Sequence, residues 1–167
     1  MNTLRKIILL LCLCVSLQAS DQRLKKTVSL IENFEGFSEK AYWDIDAYSI
    51  GYGTHLTTPS LITSYRFATI SKTEAQELMI EKVMDIHNVL LCIVKVPLTD
   101  NQYSVLVSFT YNVGIPGLMH SKLVECLNAR QYKLASNQLR RWVHTKHRVN
   151  KSLIKRRKNE RLLFLKK

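Results

Sequence analysis

The sequence predicts an α+β fold in which one small β element is set into a mostly helical chain. Three observations carry this. Apolar residues recur at helical spacing through most of the 167 residues. The period changes to that of strands only across residues 40–53. Nowhere do strands and helices alternate as a βαβ chain requires, so the two kinds of structure are expected in segregated layers.

The first twenty residues stand apart. Arg5 and Lys6 make a positive start, Ile7 to Leu17 is an apolar run too short for a comfortable membrane span, and Ala19 and Ser20 are small. That layout is a secretory signal peptide over residues 1–19, with a retained N-terminal anchor as the alternative. One domain is then expected over residues 20–167, placed in the periplasm or secreted. A chain of that size buries roughly 70% of its unfolded surface, enough for one core. Removal of Arg5 and Lys6 from 25 basic and 13 acidic residues leaves 23 against 13, a net charge of +10. Cys92 and Cys126 remain, and both a disulfide and two free thiols fit them. No Cys/His cluster has metal-ligand spacing, so no metal and no cofactor are expected.

Leu24, Val28, Ile31 and Phe34 open the domain as a helix, with Gly36 as its stop. Tyr42, Trp43, Tyr48, Ile50 and Tyr52 form a β-hairpin around a turn at Asp44–Ala47. Residues 54–70 read as irregular and broken by Pro59. Ser71-Lys-Thr-Glu74 is a capping box that starts a long helix, ended by Pro97 at the latest. Thr99-Asp-Asn-Gln102 is a second box, and its helix runs to Gly114. Shorter helices follow at 121–127, 131–141 and 152–165, with Ser121 and Ser152 as caps and Asn128 as a stop. A small β part over about 36–70 and a helical part over about 71–167 result.

The chemistry gathers in residues 31–54. Glu35 ends the first helix, and Asp44 follows nine residues later in the hairpin. A glycosidase needs two such carboxyl groups, one holding a proton while the other stays ionised. Phe34 and Phe37 would surround Glu35 with apolar groups and keep it protonated, while Asp44 in a polar turn would stay charged. Ser49 could hold a water. Spacing alone leaves the plain reading standing: a solvated helix end and an Asx turn.

The segment E-G-x-x-x-x-A-Y-x-D followed by S-I-G-Y-G resembles the catalytic segment of the phage-type lysozymes, the endolysin family. The resemblance continues in order through Ser71-Lys-Thr-Glu-Ala75, residues 96–114, Ser121-Lys-Leu, Leu127-Asn128, Arg141-Trp142-Val143 and residues 156–164. It spans about Leu24 to Leu165. It implies a lysozyme-like fold with a cleft between two lobes. It also implies hydrolysis of the β-1,4 bond between N-acetylmuramic acid and N-acetylglucosamine in peptidoglycan, without a cofactor and by a monomer. Glu35 matches the general acid, Asp44 the second catalytic carboxylate, and Ser49 a threonine that positions water. Asn112 matches a substrate-binding position of the cleft, although a helix-capping role fits it equally. An inverting outcome would need roughly 6.5–9.5 Å between the carboxyl groups.

This chain departs from the family pattern in three places. The turn after Asp44 is a residue shorter and lacks glycine, serine replaces threonine at Ser49, and Gly53-Thr54-His55 replaces G-H-T. Asp46 is a rival to Asp44. His55 is read as a loop residue, and His87, His120, His144 and His147 as exposed. Trp142 is read as a packing anchor.

Residues 140–167 hold twelve Lys/Arg and one acid, Glu160. A solvated helix face is the plain reading, and attraction to an anionic envelope surface is the functional one. Nucleic acid is not an expected partner, since the chain is exported and carries no nucleic-acid motif. The rivals to hydrolysis are a catalytically silent peptidoglycan-binding protein, a cationic membrane-active protein, and a lytic transglycosylase, which Asp44 disfavours.

Overall fold

The computed structural model describes residues 21–44, 47–145 and 148–166. Helix α1 occupies residues 21–35 and buries Thr27 and Ile31, with Leu24 and Val28 packed beside them. Strands β1 (Ser38–Asp44), β2 (Ala47–Gly51) and β3 (Thr54–His55) form one antiparallel sheet in that order. The register pairs Tyr42 with Ser49 and Asp44 with Ala47, which confirms the hairpin. The turn itself, with Asp46, lies outside the described residues, as do residues 1–20 and His147.

The expected break at Pro59 is instead a helix start. Thr58 accepts a hydrogen bond from the Leu61 amide and α2 spans Pro59–Tyr65, with proline in the first turn. Proline suits that position because its missing N–H would have no helical partner there.

Both capping boxes form as read. Ser71 opens α3 (Lys72–Ile93) and Thr99 opens α4 (Asp100–Met119). Ala75, Met79, Val83, Ile86 and Leu90 are the buried stripe of α3. Gly114 does interrupt α4: its φ of 80° breaks the helix into two segments, and Pro116 sits in the first turn of the second. Next come α5 (Lys122–Asn128), α6 (Tyr132–Gln138) and a 3-10 turn at Leu139–Arg141. Strands β4 (His144–Thr145) and β5 (Arg148–Val149), absent from the sequence reading, form a second small ribbon before α7 (Lys151–Leu165). The cap of α7 is Asn150 rather than Ser152. Its side-chain Oδ1 accepts from the Ser152 and Leu153 amides, a role that a side chain two residues inside the helix cannot fill.

One core joins these pieces. Ile50 and Tyr52 of the sheet region and Leu56 and Ile70 beside it meet α3, while Phe109 of α4 and Phe164 of α7 close the other side. At Gly51 the sheet comes close to α3: its φ is 63°, and a Cβ there would stand 2.7 Å from that of Ala75. Trp142 packs edge-on against Phe109 at 5.5 Å, the anchoring role expected of it. Cys92 and Cys126 are free thiols.

Candidate active site

Glu35 is the last residue of α1 because Gly36, at φ 69°, turns the chain out of the helix while its amide still bonds to the Glu32 carbonyl at 3.0 Å. The chain returns along β1, and Asp44 ends that strand. A groove of about 830 Å³ is lined by both carboxylates. Asn33, Asn112, Asn150, Asn159 and Lys155 add amide and ammonium donors to its wall. Gly53 backs onto the acid: its φ is 74°, and a Cβ there would lie 3.3 Å from Glu35 Oε2. Tyr42 shares the strand face of Asp44, two residues away. Burial chiefly, and then the negative charges of Asp44 and Glu35, raise its phenol above the ordinary value.

The surroundings of Glu35 differ from the apolar ones expected. Arg156 of α7 donates from Nη1 to Glu35 Oε1 at 2.6 Å, and the two side chains are only 6% and 18% exposed. Phe34 stacks under this guanidinium at 4.8 Å. Phe37 turns away to Tyr52, with ring centroids 5.5 Å apart. Arg156 also donates from Nε to Glu160 Oε1 at 3.1 Å and from Nη2 to the Ser108 carbonyl at 2.9 Å. The Ser108 hydroxyl donates to the same Glu160 oxygen at 2.9 Å. Arg157 continues the chain of contacts to Glu160 Oε2, to Asn112 Oδ1 and, at 3.1 Å, to the Trp142 carbonyl. Two acids and two arginines thus form one buried network from Glu35 to Asn112. Burial foremost, with the Arg156 charge as a lesser cause, pulls the Arg157 guanidinium down from its ordinary value, although Glu160 opposes the shift.

Of the four residues singled out in the sequence, three line the groove: Glu35, Asp44 and Asn112. Asn112 does not cap its own helix, since its carbonyl oxygen is taken by Arg157. Ser49 is fully buried and is not among the groove-lining residues. Its hydroxyl shares a 3.3 Å hydrogen bond with His55 Nδ1, across the β2–β3 pairing. His87, read as exposed, is half-buried and bonded through Nδ1 to the Tyr103 hydroxyl at 3.0 Å. Sequence reasoning missed Arg156. The available signal was the Arg156/Glu160 pair at i,i+4, which marks a contact but not its partner in α1.

A further cation approaches from α3. Lys82 lies with its ammonium 4.2 Å from the ring centre of Tyr111. Burial lowers its pKa, partly offset by the Glu35 charge. Tyr111 in turn donates to the Tyr52 carbonyl at 2.8 Å.

Residues 32–160 match the family model described as phage lysozyme. The endolysin of Bacillus phage B103 is 35% identical over 141 residues, 83% of this chain, and the chain spans only 52% of that relative. The endolysin of Acyrthosiphon pisum secondary endosymbiont phage 1 is 33% identical, with 84% of this chain and 95% of the relative covered. Among solved structures, the muramidase domain of SpmX from Asticaccaulis excentricus superposes with a TM-score of 0.74 at 28% identity, over 84% of this chain and 95% of that one.

Proposed function

Because the chain belongs to the phage lysozyme family, we propose that it is a peptidoglycan muramidase, a glycoside hydrolase acting on the β-1,4 bond between N-acetylmuramic acid and N-acetylglucosamine. The observation that supports this best is that Glu35 and Asp44 line one groove. We read residues 36–70 as the smaller lobe and the helices as the larger.

In this reading the Glu35 carboxyl donates its proton to the glycosidic oxygen as the C1–O bond breaks. Positive charge then grows at the sugar C1 and ring oxygen. Asp44 stabilises that charge and takes a proton from the water that adds to C1, so the product is a reducing sugar end. Arg156 holds the Glu35 carboxyl in place and supplies the counter-charge to the carboxylate left after donation. Asn112 presents its amide N–H₂ to an N-acetyl carbonyl or a sugar hydroxyl, because Arg157 already occupies its oxygen. Ser49 serves as a support: bonded to His55 and paired with Tyr42, it steadies the strand that carries Asp44. The substrate is the glycan strand of the cell wall, met after export by a single copy of the chain. Among the described residues no helix is long and apolar enough to cross a membrane.

Digestion of purified wall by the wild type, Glu35→Gln and Asp44→Asn, with product ends identified by mass spectrometry, tests the reading. Reducing muramic ends are expected from the wild type. Glu35→Gln is expected to slow turnover by about 100-fold or more, a general acid's share of the rate. Anhydro ends would make the protein a lytic transglycosylase. Wall bound but left intact by the wild type would make it a silent binder. Bacterial killing that survives Glu35→Gln would assign it to membrane action.

A further inference from the structure

A second cavity lies apart from the catalytic groove and shares no lining residue with it. It measures about 510 Å³ and is bounded by Arg140 of the 3-10 turn, Val143, and Ile154, Arg157, Lys158 and Arg161 of α7. Four of these six side chains are cationic and none is acidic. Their charges are not equally available. Arg157 is spent on Glu160, Asn112 and the Trp142 carbonyl. Arg140 and Lys158 are exposed, and among the described residues no carboxylate pairs with either of them or with Arg161. Arg161 is held in place through Nε by Asn137 Oδ1 at 2.9 Å, which leaves its terminal nitrogens as donors.

We propose that this pocket binds a phosphoryl group. Three uncompensated cations converge from two elements, whereas a carboxylate offers one charge and two oxygens. A phosphate ester offers more acceptor oxygens at tetrahedral angles, and a planar guanidinium pairs with two of them at once. Val143 and Ile154 give one side of the cavity an apolar edge, which accommodates the alkyl part of an ester. The same Arg157 that forms the cavity's inner wall holds Asn112 in the catalytic groove, so the two sites stand back to back on one side chain. The inference goes beyond the hydrolase reading and does not rest on it, since binding is read without turnover.

Calorimetric titration of the full chain with inorganic phosphate and with a soluble polyglycerol phosphate, and sedimentation with phosphatidylglycerol vesicles, provide the test. Arg140→Gln/Lys158→Gln removes two pocket charges. Lys72→Gln/Lys95→Gln removes two exposed charges elsewhere. The pocket variant is expected to bind about tenfold more weakly at low salt, and the control to stay within about twofold. All four positions are exposed, so the melting temperature should hold in both variants. A pocket-dependent loss on the soluble diester identifies a free phosphate polymer as the ligand. The same loss on vesicles alone identifies a lipid headgroup. Equal losses in the two variants would reduce the effect to net charge and overturn the site, as would no binding of any probe by the wild type.

Discussion

Tyr111 shows how much one side chain of α4 does for the sheet. Its hydroxyl donates to the Tyr52 carbonyl at 2.8 Å and lies 3.5 Å from the Thr54 hydroxyl, so it ties α4 to the strand turn that backs onto Glu35. Burial foremost pushes the phenol up to about 12 from an ordinary 10. A raised folded-state value means that stability is fully present below pH 10 and falls as pH climbs towards 12, because the unfolded chain ionises first. Tyr111→Phe should lose about 1 kcal/mol at neutral pH, the worth of one buried hydrogen bond. Between pH 10 and about 12 the wild type should then lose stability faster than the variant. Urea melts of both proteins across that range measure the gap, and parallel curves would show that Tyr111 titrates as an exposed phenol. At this scale the placement of Glu35 at a helix end was legible from the helix-stop glycine, and Asp44 was singled out by the resemblance of A-Y-x-D to the family's segment. Ser49 was legible as a residue but not as a contact. Its strand alternation and its partner His55 depend on how β3 pairs with β2.

Helix α7 carries the strongest electrostatic commitment of any element. Its Glu160 is fully buried between Arg156 and Arg157 and also accepts from Ser108. A buried ion pair is weak evidence of net stabilisation, but removal of one partner leaves unpaired charge in a low dielectric. Glu160→Gln should therefore cost about 3–5 kcal/mol in denaturant unfolding. Freed of Glu160, Arg156 should hold Glu35 less firmly, so turnover should fall in the fraction that stays folded. A loss under about 1 kcal/mol would mean that water reaches this network. The basic helix was foreseen as a solvated face or an anion-attracting one. Two of its arginines belong instead to the interior, and composition cannot tell a buried arginine from an exposed one. The capping boxes at Ser71 and Thr99 were legible because all their partners sit within four residues. Pro59 was misread because a proline that breaks a strand and one that starts a helix look alike until the Thr58 side chain is seen to cap.

Across the whole molecule the fold class was readable and the closure of the site was not. Period and caps announce helices and a hairpin wherever the contacts are local. Glu35 and Arg156, in contrast, are 121 residues apart in the chain, and no spacing rule spans that distance. Charge is the remaining property of this scale. The full sequence is +12, yet Arg156 and Arg157 are buried against Glu35 and Glu160 inside the protein. Most of the other described lysines and arginines are exposed, and their field reaches outward only as far as salt allows. That distance is about 10 Å at 0.1 M and about 3 Å at 1 M. An insoluble anionic wall should feel this field during approach, whereas a short neutral glycan fragment should not. Raising salt from about 0.05 to about 0.5 M should accordingly slow wall digestion several-fold while fragment hydrolysis changes by less than about twofold. Turbidity loss of wall suspensions beside chromatography of fragment products gives both rates from one preparation. An equal slowing of the two would place the salt effect in the groove of Glu35 and Asp44, at the Glu35–Arg156 pair, and would remove any part for the outer charge.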